Sequence, residues 1–209
     1  MKDFTLYAIT GEQFHPGRDL IEVMEEAIVG GADFIQLRDK KSSKKEVYEK
    51  AVKLRALTRK YQVPFVVNDY VDIALAVDAD GVHLGQDDLP LEVARELIGP
   101  NKIIGISTHQ IEEAKLAEKN GADYIGVGPI FPTKSKEDVV DPVTTKYIEE
   151  VAKEINIPFV AIGGIKLHNV DAVLQAGAKR VCAISEIVGS ENVKQTCEQF
   201  IRKIKTYHN

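Results

Sequence analysis

Gly31-Ala32-Asp33-Phe34-Ile35, Asp78-Ala79-Asp80-Gly81-Val82, Gly121-Ala122-Asp123-Tyr124-Ile125 and Gly177-Ala178-Lys179-Arg180-Val181 are four echoes of one local pattern. In each, a helix-stopping segment leads straight into a strand-forming one. The alanines are spaced 47, 43 and 56 residues apart, about twice the length of one strand-plus-helix unit in a small barrel. The echoes therefore mark alternate strands, and the strands between them must be sought halfway.

Those strands are present. Val63-Pro64-Phe65-Val66-Val67 and Ile157-Pro158-Phe159-Val160-Ala161 each open on a proline, which costs no ladder hydrogen bond at a strand start. Phe4 to Ile9 and Lys102 to Ile106 complete eight short apolar runs, and segments of helical period such as Glu112 to Glu118 follow them. Strands alternating with helices form a parallel sheet. Eight such units close most naturally into a (βα)8 TIM barrel, so the expectation is an α/β chain with residues 1–209 forming one domain. A doubly wound open sheet uses the same alternation and stays open at this point.

The chain has 209 residues, enough for a single core that buries roughly 70% of the unfolded surface. Hydrophobic residues make up 44% and charged residues 28%, a composition typical of soluble globular proteins. The longest apolar runs, Ile73 to Val77 and Phe159 to Ile162, are strand-sized, far short of the ~20 residues a membrane helix needs. Met1-Lys2-Asp3-Phe4 runs directly into a strand pattern without the layout of a signal peptide, so no membrane partner and a cytoplasmic location are expected. Cys182 and Cys197 lie in apolar segments with neither disulfide nor metal spacing, and read as small core residues. A net charge of -5 argues against nucleic-acid binding. A homo-oligomer is compatible with the sequence.

Barrel enzymes place their chemistry at the C-terminal ends of the strands, and the sequence turns polar there. Arg38, Asp39, Lys40 and Lys41 follow the second strand, Asn68 and Asp69 the third, Gln86, Asp87 and Asp88 the fourth, Ser107 and Thr108 the fifth. Gly163-Gly164 follows the seventh and Ser185 the eighth. Singly, each cluster reads as solvated turn chemistry. Together, Arg38, Lys40, Lys134 and Lys136 on an acidic background point to an anionic substrate. Asp69 and Asp88 end neighbouring strands; at ~4 Å and an effective dielectric near 20, bare carboxylates would repel by about 4 kcal/mol. Mg²⁺, a basic partner or a helix-capping role would each relieve this. Glycines at 163 and 164 allow backbone N–H groups to approach a phosphate, beside Ile184 and Ser185. The stretch from Phe131 to Asp141 is a long polar loop, read either as a lid or as a plain surface loop.

In combination, Gln36-Leu37-Arg38-Asp39-Lys40, Val67-Asn68-Asp69, Gly81 to Asp88, Gly105-Ile106-Ser107-Thr108-His109, Gly128 to Lys136 and Ala161 to Ile165 resemble the thiamine phosphate synthase family over essentially the whole chain. The resemblance implies a Mg²⁺-dependent transferase in which the ring nitrogen of a thiazole phosphate, plain or carboxylated, displaces pyrophosphate from an aminopyrimidine diphosphate. Carried over by position, Gln36, Leu37, Arg38, Asp39, Lys40, Asn68, Ser107 and Lys136 would hold the pyrimidine diphosphate, and Asp69 and Asp88 the Mg²⁺. Thr133, Lys134, Ser135, Gly163, Ile184 and Ser185 would hold the thiazole phosphate, Lys134 through its backbone. Arg38, Lys40, Ser107 and Lys136 would carry the catalytic charge and contacts. The expected partners are thus small phosphorylated molecules.

Three rivals remain. A thiazole tautomerase shares the barrel but resembles a pattern with histidine where this chain has Pro129. A sugar-phosphate epimerase or aldolase can share the phosphate cradle after the seventh and eighth strands, though an aldolase would need a Schiff-base lysine inside a strand and the apolar runs carry none. A thiamine-phosphate sensor would bind without turnover. His83, inside the fourth strand, and His109, at a helix start, read as structural.

Overall fold

The computed structural model describes residues 3–133, 135 and 141–208. Its elements run in the order β1 (Leu6–Ile9), α1 (Leu20–Val29), β2 (Phe34–Leu37), α2 (Lys44–Tyr61), β3 (Phe65–Asn68), α3 (Val71–Ala76), β4 (Gly81–Leu84) and α4 (Leu91–Ile98). They continue as β5 (Ile103–Thr108), α5 (Ile111–Lys119), β6 (Tyr124–Val127), α6 (Thr144–Glu154), β7 (Phe159–Ile162), α7 (Val170–Gln175), β8 (Val181–Ala183), α8 (Ser185–Val188) and α9 (Val193–His208). Neighbouring strands pair in parallel around a closed ring. The ring is sealed by Leu6, Tyr7 and Ala8 of β1 opposite Val181, Cys182 and Ala183 of β8. That closure excludes the open sheet and establishes the TIM barrel.

The four echoes fall on β2, β4, β6 and β8, and their aspartates have a mechanical role. Asp33 accepts from Thr5 N and Leu6 N at 2.8 Å each, Asp80 from Phe65 N at 2.8 Å, and Asp123 from Ile104 N at 2.8 Å. Each even strand thus ties its entry to the odd strand before it, and satisfies backbone donors a strand start leaves unpaired. The fourth echo carries Lys179 at that position, and there Arg180 pairs with Asp3 instead. Pro64 and Pro158 contribute only carbonyls to the ladder, accepting from Ile35 N and Ile125 N at 3.0 Å each, as strand-opening prolines should.

Helix starts are set by local chemistry. Asp19 accepts from the N–H groups of Ile21 and Glu22 ahead of α1, and Ser43 with Glu46 forms a capping box ahead of α2. Inside the ring, Phe4, Tyr7, Phe34 and Tyr124 pack edge to face. Gly105 makes room for them, because a Cβ there would lie 2.1 Å from Tyr124 Cζ. Phe34 is fully buried, and truncating it to alanine would cost about 3–5 kcal/mol. Cys182 and Cys197 are buried, as their apolar surroundings predict. Among the described residues no helix is long and apolar enough to cross a membrane.

Candidate active site

A cavity of about 630 Å³ opens at the C-terminal ends of the strands. Arg38, Lys40, Asn68, Asp69, Asp88 and Ser107 line one part of it, and Thr133, Ser135, Gly163, Ile184 and Ser185 another. One chamber therefore gathers residues from strand ends that lie far apart in the sequence. Lys134 and Lys136, both expected at this site, lie outside the described residues.

The basic segment after β2 is held by its backbone. Thr10 Oγ1 accepts from Arg38 N at 2.9 Å and donates to Arg38 O at 3.0 Å. Arg38 and Lys40 line the cavity, whereas Asp39 between them turns to α2 and accepts from Lys50 Nζ at 2.6 Å. The N–H groups of Lys41 and Ser42 also reach Asp39, at 3.0 Å each. Burial raises the Asp39 carboxyl, but the hydrogen bonds from Lys50, Ser42 and Lys41 outweigh it and hold the group well below the usual carboxylate range. Leu37 packs in the apolar core, and Gln36, 1% exposed, is buried inside the ring.

Asp69 sits at the end of β3 with φ at 62°, a left-handed conformation that aspartate tolerates better than most residues. Its N–H donates to His83 O at 3.0 Å, and its Oδ2 lies 3.3 Å from Lys40 Nζ. Asp88 Oδ2 accepts from Gly85 N at 2.6 Å. Burial and the adjacent Asp88 carboxylate push the Asp69 carboxyl up to about 6, while Lys40 pulls it down. Neither aspartate caps a helix: the N-cap positions of α3 and α4 are Tyr70 and Pro90, with no side-chain cap. The basic partner considered for Asp69 is thus Lys40. The donor set also fits Mg²⁺, which binds through one or two carboxylates and completes its shell with water and phosphate oxygens. Among the described residues no cluster of three His, Cys, Asp or Glu side chains offers a closed cage.

Among the described residues, the cavity wall built by the ends of β6, β7 and β8 is rich in hydroxyls. Ser135 Oγ donates to Ser185 Oγ at 3.3 Å and accepts from Thr133 Oγ1 at 3.1 Å. Gly163 has φ at 100°, and a Cβ there would lie 2.4 Å from Pro129 Cα. At Gly164 it would lie 2.7 Å from Pro132 O. The paired glycines let the end of β7 pass directly against the segment leaving β6, and Asn169 Nδ2 fastens Gly164 O at 3.0 Å.

The sequence marks Gln86 only as one of the polar rim residues and reads His109 as structural, and it singles out neither Thr10 nor Asn169. Gln86 Nε2 donates to Ser107 O at 2.6 Å, bridging the ends of β4 and β5. His109 lines the cavity; its Nδ1 donates to Gly128 O at 2.6 Å, and its N–H reaches Glu113 Oε2 at 2.8 Å. A polar residue one or two positions beyond a barrel strand is the signal that places Gln86 and His109 at the rim. Nothing local marks Thr10 or Asn169, because their partners are distant in sequence.

A family model described as thiamine monophosphate synthase matches residues 6–187. The chain belongs to the thiamine monophosphate synthase family. A relative named thiamine-phosphate synthase from Halalkalibacterium halodurans is 73% identical over 200 residues, covering 96% of this chain and 95% of that one. A second, from Shouchella clausii and of the same name, is 67% identical and covers 96% of each chain. The solved structure of a thiamine phosphate pyrophosphorylase from Pyrococcus furiosus superposes with a TM-score of 0.89 at 42% identity, covering 99% of this chain and 98% of that chain. In this family member, the position where the tautomerase pattern carries histidine is Pro129, which lines the cavity and offers no group for proton transfer.

Proposed function

We propose that this chain is a single-domain transferase that joins an aminopyrimidine diphosphate to a thiazole phosphate, giving thiamine phosphate and pyrophosphate. The observation that carries the reading is that one cavity is lined by cations and paired carboxylates from the ends of β2 to β4 and by hydroxyls and backbone from the ends of β6 to β8. A diphosphate suits the first and a phosphate monoester the second. The names of the relatives at 73% and 67% identity agree with it.

In the proposed reaction the methylene C–O bond to pyrophosphate breaks, and a bond from the thiazole ring nitrogen to the same carbon forms. The electron-rich pyrimidine spreads the positive charge left on the methylene, so no side-chain nucleophile is needed. The protein's contribution is alignment and electrostatics. Arg38 and Lys40, with Lys136, neutralise the departing pyrophosphate, the guanidinium through paired hydrogen bonds and the lysines as point charges. Asn68 and Ser107, which line the cavity, orient the pyrimidine, while Gln36, buried inside the ring, donates to Tyr7 rather than reaching the cavity. Leu37 and Asp39 keep the clamp in shape, Leu37 from the core and Asp39 through Lys50. Thr133, Ser135 and Ser185, with backbone at Lys134, Gly163 and Ile184, receive the thiazole phosphate. Asp69 and Asp88 would hold Mg²⁺, which when bound supplies positive charge to the diphosphate oxygens.

Two buried thiols, Cys182 and Cys197, suit a reducing compartment, and the cytoplasm is the proposed location. The net charge of -5 favours small anions over nucleic acid as partners. The decisive assay incubates the purified protein with Mg²⁺ and both half-molecules and follows pyrophosphate and thiamine phosphate. Product with both halves and none when either is omitted supports the reading. Binding of both halves without product would overturn it and favour a sensor.

A further inference from the structure

One hydrogen-bond chain crosses the interior of the barrel and ends on the cavity wall. Gln36 Nε2 donates to Tyr7 Oη at 2.5 Å, and Tyr7 Oη lies 3.0 Å from Tyr124 Oη. Tyr124 Oη lies 2.8 Å from His83 Nδ1, and His83 Nε2 lies 2.9 Å from Ser107 Oγ. The five residues come from β2, β1, β6, β4 and β5 in turn. All but Ser107 are buried, the most open being His83 at 6%. Gly126 and Gly105 flank the chain: a Cβ at Gly126 would touch His83 Cε1 at 3.4 Å, and one at Gly105 would collide with the Tyr124 ring.

The proton count fixes a direction. Tyr7 Oη accepts a hydrogen bond from the Gln36 amide and so turns its own hydrogen toward Tyr124. Tyr124 accepts that bond and turns its own hydrogen toward His83 Nδ1. Burial raises both phenols above their ordinary range, so each keeps the O–H it donates. A histidine nitrogen that accepts leaves the other to carry the proton. His83 therefore donates from Nε2 to Ser107 Oγ, and the Ser107 hydroxyl hydrogen is left for the cavity. Gln86 holds the same serine through its carbonyl at 2.6 Å.

We propose that His83 is a positioning residue that makes Ser107 a committed hydrogen-bond donor toward an acceptor atom of the substrate, a ring nitrogen or a phosphate oxygen. The identity of that substrate rests on the functional reading above; the direction of the chain does not. A merely structural histidine would only need its nitrogens satisfied, in either tautomer. A chain read in one direction also discriminates, since a substrate offering a donor at that point would leave two protons facing each other.

Two measurements test this. In the substrate-free protein with ¹⁵N-labelled histidine, His83 should be the neutral Nε2–H tautomer, and Tyr124→Phe should convert it to a mixture while the fold persists by circular dichroism. An Nδ1–H tautomer in the unaltered protein would overturn the proposal, whatever reaction the enzyme performs. In steady-state kinetics, Tyr124→Phe and His83→Asn should lower kcat/KM for the diphosphate substrate by about tenfold and leave KM for the thiazole phosphate unchanged. His83→Gln, whose amide nitrogen falls near the Nε2 position, should recover most of the loss. In a Ser107→Ala background, Tyr124→Phe should have no further effect; losses that multiply would show that the chain does not act through Ser107.

Discussion

Lys40 Nζ stands 3.3 Å from Asp69 Oδ2, so the cation ending β2 and the carboxylate ending β3 face each other across the rim. Lys40 is 44% and Asp69 17% exposed at the side chain, and a half-exposed pair of this kind is worth under about 1 kcal/mol. It is therefore easily exchanged when a diphosphate and Mg²⁺ arrive together. Lys40→Met should raise KM for the diphosphate on the order of tenfold, while tightening Mg²⁺ binding to the substrate-free protein by calorimetry, because the carboxylates lose a competing cation. Asp88→Ala should lower activity chiefly by abolishing its Mg²⁺ dependence. An unaltered magnesium titration in that variant would remove Asp88 from the metal site.

Asp39 occupies the middle of the anion clamp yet serves the scaffold. Its bonds to Lys50, Lys41 and Ser42 hold the turn from which Arg38 and Lys40 project. Asp39→Asn should cost about 1–3 kcal/mol of stability at neutral pH in urea titrations and raise the diphosphate KM only through loosening of the turn. The sign of the pH dependence follows from the lowered carboxyl. Asp39's contribution is fully present above the ordinary carboxylate value of about 4 and is lost as pH falls below it. The stability gap between the parent and Asp39→Asn should accordingly narrow in acid; a gap that widened would contradict the assignment.

The barrel was legible because helix stops, strand starts and their spacing are local signals, repeated often enough to set the order of all eight strands. The rim was legible for the same reason, since a polar residue just past an apolar run stands out. What escaped were relationships that only ring closure creates. Tyr7, His83 and Tyr124 read as ordinary strand residues, and their contact depends on three strands whose positions differ by up to 117 residues. The echoes read only as helix stops leading into strands, although their aspartates bind the neighbouring strand's backbone. Gly163-Gly164 was read as room for an anion; the structure adds the tight passage of β7 against the β6 exit.

That passage makes Gly163 a sharp test. Alanine there would meet Pro129 Cα at 2.4 Å in a backbone with φ at 100°. Gly17, with φ at 79° and nothing within 4 Å of an added Cβ, isolates the conformational part alone. Gly17→Ala should cost about 1 kcal/mol. Gly163→Ala should cost at least twice as much, and should depress activity even at temperatures where the variant is fully folded. Equal costs measured by thermal unfolding would show that the β6 exit yields without strain.

Ser135 and Ser185 close the hydroxyl-rich part of the cavity, with hydroxyl oxygens 3.3 Å apart and Thr133 bonded to the first. A 3.3 Å contact between two hydroxyls is a weak bond, so both hydroxyls can turn to donate to a stronger acceptor. A phosphate would accept a hydrogen bond from each, replacing one poor bond with two charge-assisted ones. Ser135→Ala and Ser185→Ala should each raise KM for the thiazole phosphate about three- to tenfold, with KM for the diphosphate unchanged. The double variant should lose more than either single one, since each hydroxyl makes its own bond to the anion. The dephosphorylated thiazole should be insensitive to all three variants, because the group they recognise is missing. If that alcohol lost as much as the phosphate did, the hydroxyls would be shaping the pocket and the phosphate would have to bind elsewhere.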